Sequence, residues 1–255
     1  MSAWLIMLLF IGNIIPTQSE AIELKKDNFV SLREKISADS SSKLLAKLNS
    51  IEARYDNIYI YINSPGGDVI AGLEIINYIK SLQARSKQVL CIAHNAMSMA
   101  FAIFQYCSQR YILYSSSLMQ HQMSLGVKGK LYDINSRMSY LNSLESTLNQ
   151  DQARRLELTS ERFAQLIQND WWLYAGDIIG NNAADKMVSF FCSFDNYDET
   201  VVTQTLFGEI KITYSACPLI NYPLAINFPT LNFPEEKKTE FFETHVNFMK
   251  KYVEA

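Results

Sequence analysis

Three polar residues stand where apolar runs of the sequence stop: Ser98, His121 and Asp170. Together they are the parts of a nucleophilic relay. A serine hydroxyl attacks a carbonyl only when a base takes its proton, an imidazole serves as that base when a carboxylate holds its tautomer, and the resulting oxyanion needs N–H donors. Gly67 and Met99, each beside a strand-to-helix switch, could supply those donors from their backbone. Taken singly, each residue has a plainer role, since a serine at a helix start is usually a cap and a histidine at a strand end is usually structural. The order and spacing of all three carry the reading.

The elements that must position them are organised around Tyr59–Val69, YIYINSPGGDV. Ile58 to Ile62 alternates β-branched and aromatic residues as a buried strand does, and Asn63-Ser64-Pro65-Gly66-Gly67 stops it. Pro65 fixes its φ, while the two glycines reach backbone angles closed to other residues and leave their N–H groups uncovered. A phosphate cradle would need a lysine or further donors that the next helix lacks. From Asp68 to Leu82 the residues Val69, Ile70, Leu73, Ile76 and Ile79 predict a helix buried on most of its circumference, and Lys87 to Ala93 predicts a second strand. Strand, turn, helix, strand is a βαβ unit and implies a parallel pair. Ser98 then opens a further apolar segment, Phe101 to Tyr106, where backbone N–H groups favour negative charge.

Around this core the pattern predicts one or two short strands in Ile22 to Ile36, a polar connection over Ser37 to Ser42 and an amphipathic helix from Lys43 to Arg54. Short strands follow at Arg110 to Leu113 and Ser117 to His121. A long amphipathic helix over Leu131 to Leu158 is interrupted near Gln150. A capped helix from Thr159 to Asn169, a short helix over Gly176 to Asn181 and a strand near Lys186 to Phe191 complete the domain. Beyond Cys192, Pro218, Pro223, Pro229 and Pro234 punctuate short apolar runs, and a last amphipathic helix follows Pro234 with Phe242, Val246, Met249 and Val253 on one face.

The 255 residues suffice for one large α/β domain plus an extension, and the net charge of −3 with scattered cations gives no basic stripe for nucleic acid. Residues 1–21 read as a signal peptide: Trp4 to Ile11 is an apolar core too short to span a bilayer comfortably, Pro16 breaks it, and Ser19-Glu20-Ala21 offers a cleavage site. The alternatives are a buried segment or a membrane anchor, because no Lys or Arg precedes the apolar core. The four cysteines show no metal-like spacing, so neither metal nor cofactor is expected. Cys91 and Cys107 read as buried, inert thiols, whereas Cys192 and Cys217 are candidates for a disulfide in an exported protein. His94 reads as a neighbour of the Ser98 turn and His245 as a solvated helix residue.

The segments INSPGG, AMSM, MQHQ and D-x-W-L-x-A resemble, in the same order over Ile22 to Phe191, the proteolytic subunit of the Clp protease, a serine peptidase of the ClpP/crotonase fold. The resemblance implies stacked βαβ units with a long handle helix in residues 22–191, followed by a C-terminal extension, 192–255, with no counterpart in the family. It implies Ser98 as nucleophile, His121 as general base, Asp170 as orienting carboxylate, and Gly67 and Met99 as oxyanion-hole amides. Asp177 and Asp185 fit the rest of that signature. Met123 to Lys130, with Gly126, Val127 and Gly129, resembles the strand that holds a substrate peptide extended. A homo-oligomeric ring acting on peptides or unfolded proteins is the implied assembly, and outside the cytoplasm no ATP-driven partner is expected. Signal-peptide peptidases of the same fold use a Ser-Lys dyad, crotonases bind acyl-CoA without such a triad, and a catalytically inactive peptide-binding scaffold is the remaining alternative. The chain departs from the family at Ala100, where glycine is usual, and at Met123, where proline is usual.

Overall fold

The computed structural model describes residues 21–126, 128–194, 198–205, 208–220 and 223–227, with Lys237 and Glu240. The leader before Ala21, His245 and, apart from Lys237 and Glu240, the last amphipathic helix lie outside the described residues. The body is a mixed α/β fold built on β3 (Asn57–Ser64), whose parallel neighbours are β2 (Phe29–Leu32) and β4 (Gln88–Met97). Strands buried on both faces read as nearly continuous apolar runs, and Ile58, Ile60, Tyr61 and Ile62 are all at most 1% exposed. The crossover from β3 to β4 runs through α2 (Val69–Ala84), which buries Ala71, Ile75, Ile76, Ile79 and Leu82; Asp68 caps it by accepting the Ala71 N–H at 2.8 Å.

The first helix, α1 (Ala38–Ile51), starts earlier than the sequence pattern predicts. Ser37 and Ser40 form a reciprocal capping box, and Ser41 is buried with its hydroxyl donating to the Ala71 carbonyl at 3.1 Å. The polar run is therefore the first turn of the helix and not a connection.

β4 passes through Ser98 into α3 (Met99–Gln105), all of whose residues are buried, and the chain returns as β5 (Gln109–Gln120). Sequence predicts two strands here. The structure has one, whose pairing with β4 jumps from Ala93↔Ile112 to Asn95↔Ser117. The excursion leaves Tyr114 81% exposed, and the Ser116 hydroxyl bridges the gap by donating to the Ala93 carbonyl at 2.6 Å and accepting the Leu113 N–H at 2.7 Å. The long helix α4 (Leu131–Arg155) runs unbroken through Gln150 and exposes much of its surface, Leu131, Tyr132 and Tyr140 included. α5 (Ser160–Leu166), β6 (Trp171–Tyr174) and α6 (Gly176–Gly180) follow; β6 pairs antiparallel with β5.

The strand predicted near Lys186 to Phe191 is two pieces. β7 (Lys186–Met187) extends the β5 side of the main sheet, and β8 (Ser189–Cys192) pairs in parallel with β1 (Ala21–Leu24). The extension carries a separate antiparallel sheet of β9 (Asp198–Thr205), β10 (Gly208–Ser215) and β11 (Pro223–Asn227). A Cys192–Cys217 disulfide fastens it to the end of β8. Cys91 and Cys107 are also a disulfide, which corrects their reading as thiols: the turn after α3 brings Cys107 back against the buried side of β4. All four cysteines are paired.

Candidate active site

Ser98 occupies the sharp switch from β4 to α3 at φ 54 and ψ −121, a conformation costly for any residue with a Cβ. A serine acting as a helix cap has extended angles and accepts a backbone N–H through its hydroxyl. Ser98 does neither, and among the described residues its hydroxyl has no hydrogen-bond partner. The turn is held by the backbone instead, the Ser98 N–H donating to the Met119 carbonyl at 2.8 Å. Met99 is the first residue of α3, so its N–H is one of the donors that a helix start leaves unpaired.

The glycine turn packs directly on this switch. Gly66 sits at φ 85, and a Cβ there would lie 2.9 Å from both the Met99 nitrogen and the Ser98 Cβ and closer still to the Met97 carbonyl oxygen. Gly67 is bridged to Ile36, with the Ile36 N–H donating to the Gly66 carbonyl at 2.8 Å and the Asp68 N–H to the Ile36 carbonyl at 2.9 Å. That ladder leaves the Gly67 N–H outside it. Gly66 is the residue missed by sequence reasoning: the doublet shows that glycine is needed, and only the packing shows that the first of the pair faces Ser98.

His121 follows the end of β5 and lines the same cleft as Ser98, Met99 and Ala102. Its Nδ1 lies 2.6 Å from the Gln122 carbonyl oxygen. A carbonyl can only accept, so Nδ1 carries the proton and Nε2 of the neutral ring keeps its lone pair. Asp170, just before β6, is exposed, does not line the cleft, and has no hydrogen bond or ion pair among the described residues. In this conformation the Gln122 carbonyl fixes the His121 tautomer, the task that the sequence assigns to Asp170. His94 lies away from this cleft within 3.4 Å of the Tyr61 hydroxyl, and burial pushes its imidazole below the ordinary value.

The segment after His121 differs from the expected peptide-holding strand. Residues 123–126 and 128–130 are irregular, Gly126 and Gly129 are exposed, and Val127 lies outside the described residues. Among the described residues no strand pairs with them, and the Met123 N–H is taken by the Glu145 carboxylate of α4 at 2.9 Å. Glu145 also lines the cleft. A lone carboxylate on a long polar helix reads as a solvated face, so no sequence signal marks it.

Of the two further acids of the expected signature, Asp177 and Asp185, neither lines the cleft, and Asp185 holds the base of β5. It accepts the buried Arg110 guanidinium at 2.6 Å and 3.2 Å and the Arg110 N–H at 2.7 Å, while Arg155 reaches it at 3.0 Å. No cluster of His, Cys, Asp or Glu that could hold a metal ion occurs among the described residues.

A family model described as Clp protease matches residues 17–188. The chain belongs to the Clp protease family. This Clp-family chain is 27% identical over 168 residues to ATP-dependent Clp protease proteolytic subunit 2 of Parasynechococcus marenigrum (strain WH8102), covering 65% of the chain and 85% of that relative. It is 24% identical over 193 residues to the ATP-dependent Clp protease proteolytic subunit of Borreliella afzelii (strain PKo), covering 70% of the chain and 98% of that relative. Membership places the Clp-family chain among the peptidases. The match ends at residue 188, so the sheet of β9, β10 and β11 lies beyond it.

Proposed function

We propose that the chain is a serine endopeptidase that hydrolyses peptide bonds of short or unfolded polypeptides. Ser98 attacks the scissile carbonyl, His121 takes its proton through Nε2 and returns it to the leaving amine, and the Gly67 and Met99 N–H groups receive the oxyanion. Asp170 orients the imidazolium once His121 turns from the Gln122 carbonyl toward it. The residues after His121 hold the peptide extended once a neighbouring chain or the substrate supplies a strand to pair with. The observation that carries this reading is the Ser98 hydroxyl, presented by a strained turn without a capping bond in a cleft shared with a tautomer-fixed His121.

The same reading includes assembly and place. The largely exposed α4, with Leu131, Tyr132 and Tyr140 presented on its surface, supports a homo-oligomeric ring, in keeping with the proteolytic subunits that the chain resembles. Pairing of all four cysteines supports an oxidising compartment, reached by export through residues 1–21 or by membrane anchoring at that segment. The relatives are named as ATP-dependent. In an exported protein no ATP supply is expected, and cleavage then proceeds on substrates that are already unfolded.

The detachment of Asp170 from His121 favours one competing reading, a scaffold of the same fold that binds peptides without cutting them. A fluorophosphonate probe separates the two. A covalent adduct on Ser98 that is lost in Ser98→Ala, together with hydrolysis of a small peptide ester, supports the peptidase; an unlabelled folded protein beside a reactive control peptidase supports the scaffold.

A further inference from the structure

We propose that Glu145 makes the cleft beside Ser98 a subsite for a cationic side chain, Lys or Arg, of the bound peptide. The inference rests on the peptidase reading of Ser98 and names the residue class that the site prefers. Three neutral or apolar features of the cleft leave Glu145 in control of its electrostatics. Gln120 and Gln152, both buried, are occupied with the protein itself: Gln120 Nε2 donates to Gln152 Oε1 at 2.5 Å, Gln120 Oε1 accepts the His121 N–H at 3.1 Å, and Gln152 Nε2 donates to the Leu148 carbonyl at 3.1 Å. Val69, Met99, Ala102 and Leu148 give apolar wall suited to a methylene stem. Among the described residues no Lys or Arg lines the cleft.

Glu145 is half-buried and, among the described residues, is the only acidic one of the lining. Its Oε1 accepts the Met123 N–H at 2.9 Å, which anchors the carboxylate, and its Oε2 has no partner among the described residues. A fixed carboxylate with one oxygen unspent, in a cleft with apolar walls and no Lys or Arg among the described residues, attracts a cationic donor and repels an acidic side chain.

The test uses three labelled peptides that differ only in the residue before the intended cleavage point: Lys, Leu or Glu. Binding is read by fluorescence anisotropy on the full-length Ser98→Ala protein and turnover on the unsubstituted protein. The Lys peptide is expected to bind about tenfold more tightly than the Leu peptide, the scale of one hydrogen bond to a charged group, and the Glu peptide more weakly than either. Glu145→Gln keeps a carbonyl oxygen for the Met123 N–H and is expected to erase the preference, while Glu145→Lys reverses it toward the Glu peptide. Equal binding of the three peptides, a Leu preference, or an unchanged ratio in Glu145→Gln overturns the proposal. Lys-selective binding without turnover keeps the subsite and removes the peptidase reading instead.

Discussion

The Ser98 N–H donates to the Met119 carbonyl at 2.8 Å, directly after the ladder pair Met97↔Met119. The Ser98 turn is thereby locked to β5 two residues before His121. Sheet register sets where the backbones of Ser98 and His121 stand relative to each other.

Backbone strain at Ser98 makes function and stability separable. Ser98→Ala should abolish peptide-ester hydrolysis while leaving the melting temperature near its original value. Ser98→Gly should be equally inactive yet more stable by about 1 kcal/mol, because glycine adopts φ 54, ψ −121 freely. Ala175 occupies almost the same conformation, φ 45 and ψ −115, where β6 passes into α6. Ala175→Gly should give a similar gain in thermal denaturation, and the comparison calibrates the strain at Ser98.

The two glycines of the turn should fail in different ways. An added Cβ at Gly67 runs into the Ile36 backbone. Gly67→Ala should therefore lower stability by more than about 1 kcal/mol through loss of the bridge. An added Cβ at Gly66 meets the Met97 carbonyl and the Met99 nitrogen. Gly66→Ala should lower kcat beyond any loss of folded protein, measured as activity per fluorophosphonate-titrated site.

Acid should unlatch the base of β5. Burial by itself would raise the Asp185 carboxyl, but hydrogen bonds and charge from Arg110, with Arg155, hold it below the ordinary 3.8. A carboxyl depressed by folding stabilises the native state above its unfolded value, and that contribution fades as pH falls from 3.8 through the lower folded value. Melting temperatures should drop over that acid range. Asp185→Ala should cost about 3–5 kcal/mol near neutral pH, since it strands the buried Arg110 guanidinium.

Removing the inner disulfide should be expensive. The Cys91→Ala/Cys107→Ala pair should lose about 2–4 kcal/mol by denaturant unfolding, the range typical for a loop of this size. Cys192→Ala/Cys217→Ala should leave the peptidase body intact and increase protease cleavage within the sheet of β9, β10 and β11.

The sequence showed the core of this fold because it speaks in long, unambiguous signals. β3, α2 and β4 combine continuous apolar runs with a Pro-Gly-Gly stop, and helical spacing marks α4. Local side-chain repairs were not legible. Ser116 spans a three-residue excursion and turns two apparent strands into β5; Ser37 and Ser40 convert a serine-rich run into a helix start. The Cys91–Cys107 pairing depends on how α3 folds back on β4, which no spacing rule encodes. At the site, motif order placed Ser98 and His121 beside one cleft, whereas the hydrogen bond that ties His121 Nδ1 to the Gln122 carbonyl is a side-chain choice invisible to pattern.

The bond between Cys91 and Cys107 encloses the end of β4, Ser98 and the whole of α3 in one covalent ring. Such a ring has few open states of its own. Amide hydrogens within residues 91–107 should consequently exchange with solvent only when the entire domain opens, and under native conditions should outlast those of α4 and of the C-terminal sheet. Ser98 would then sit in the slowest-breathing part of the molecule, and the mobility that the proposed contact between Asp170 and His121 requires must come from outside this ring.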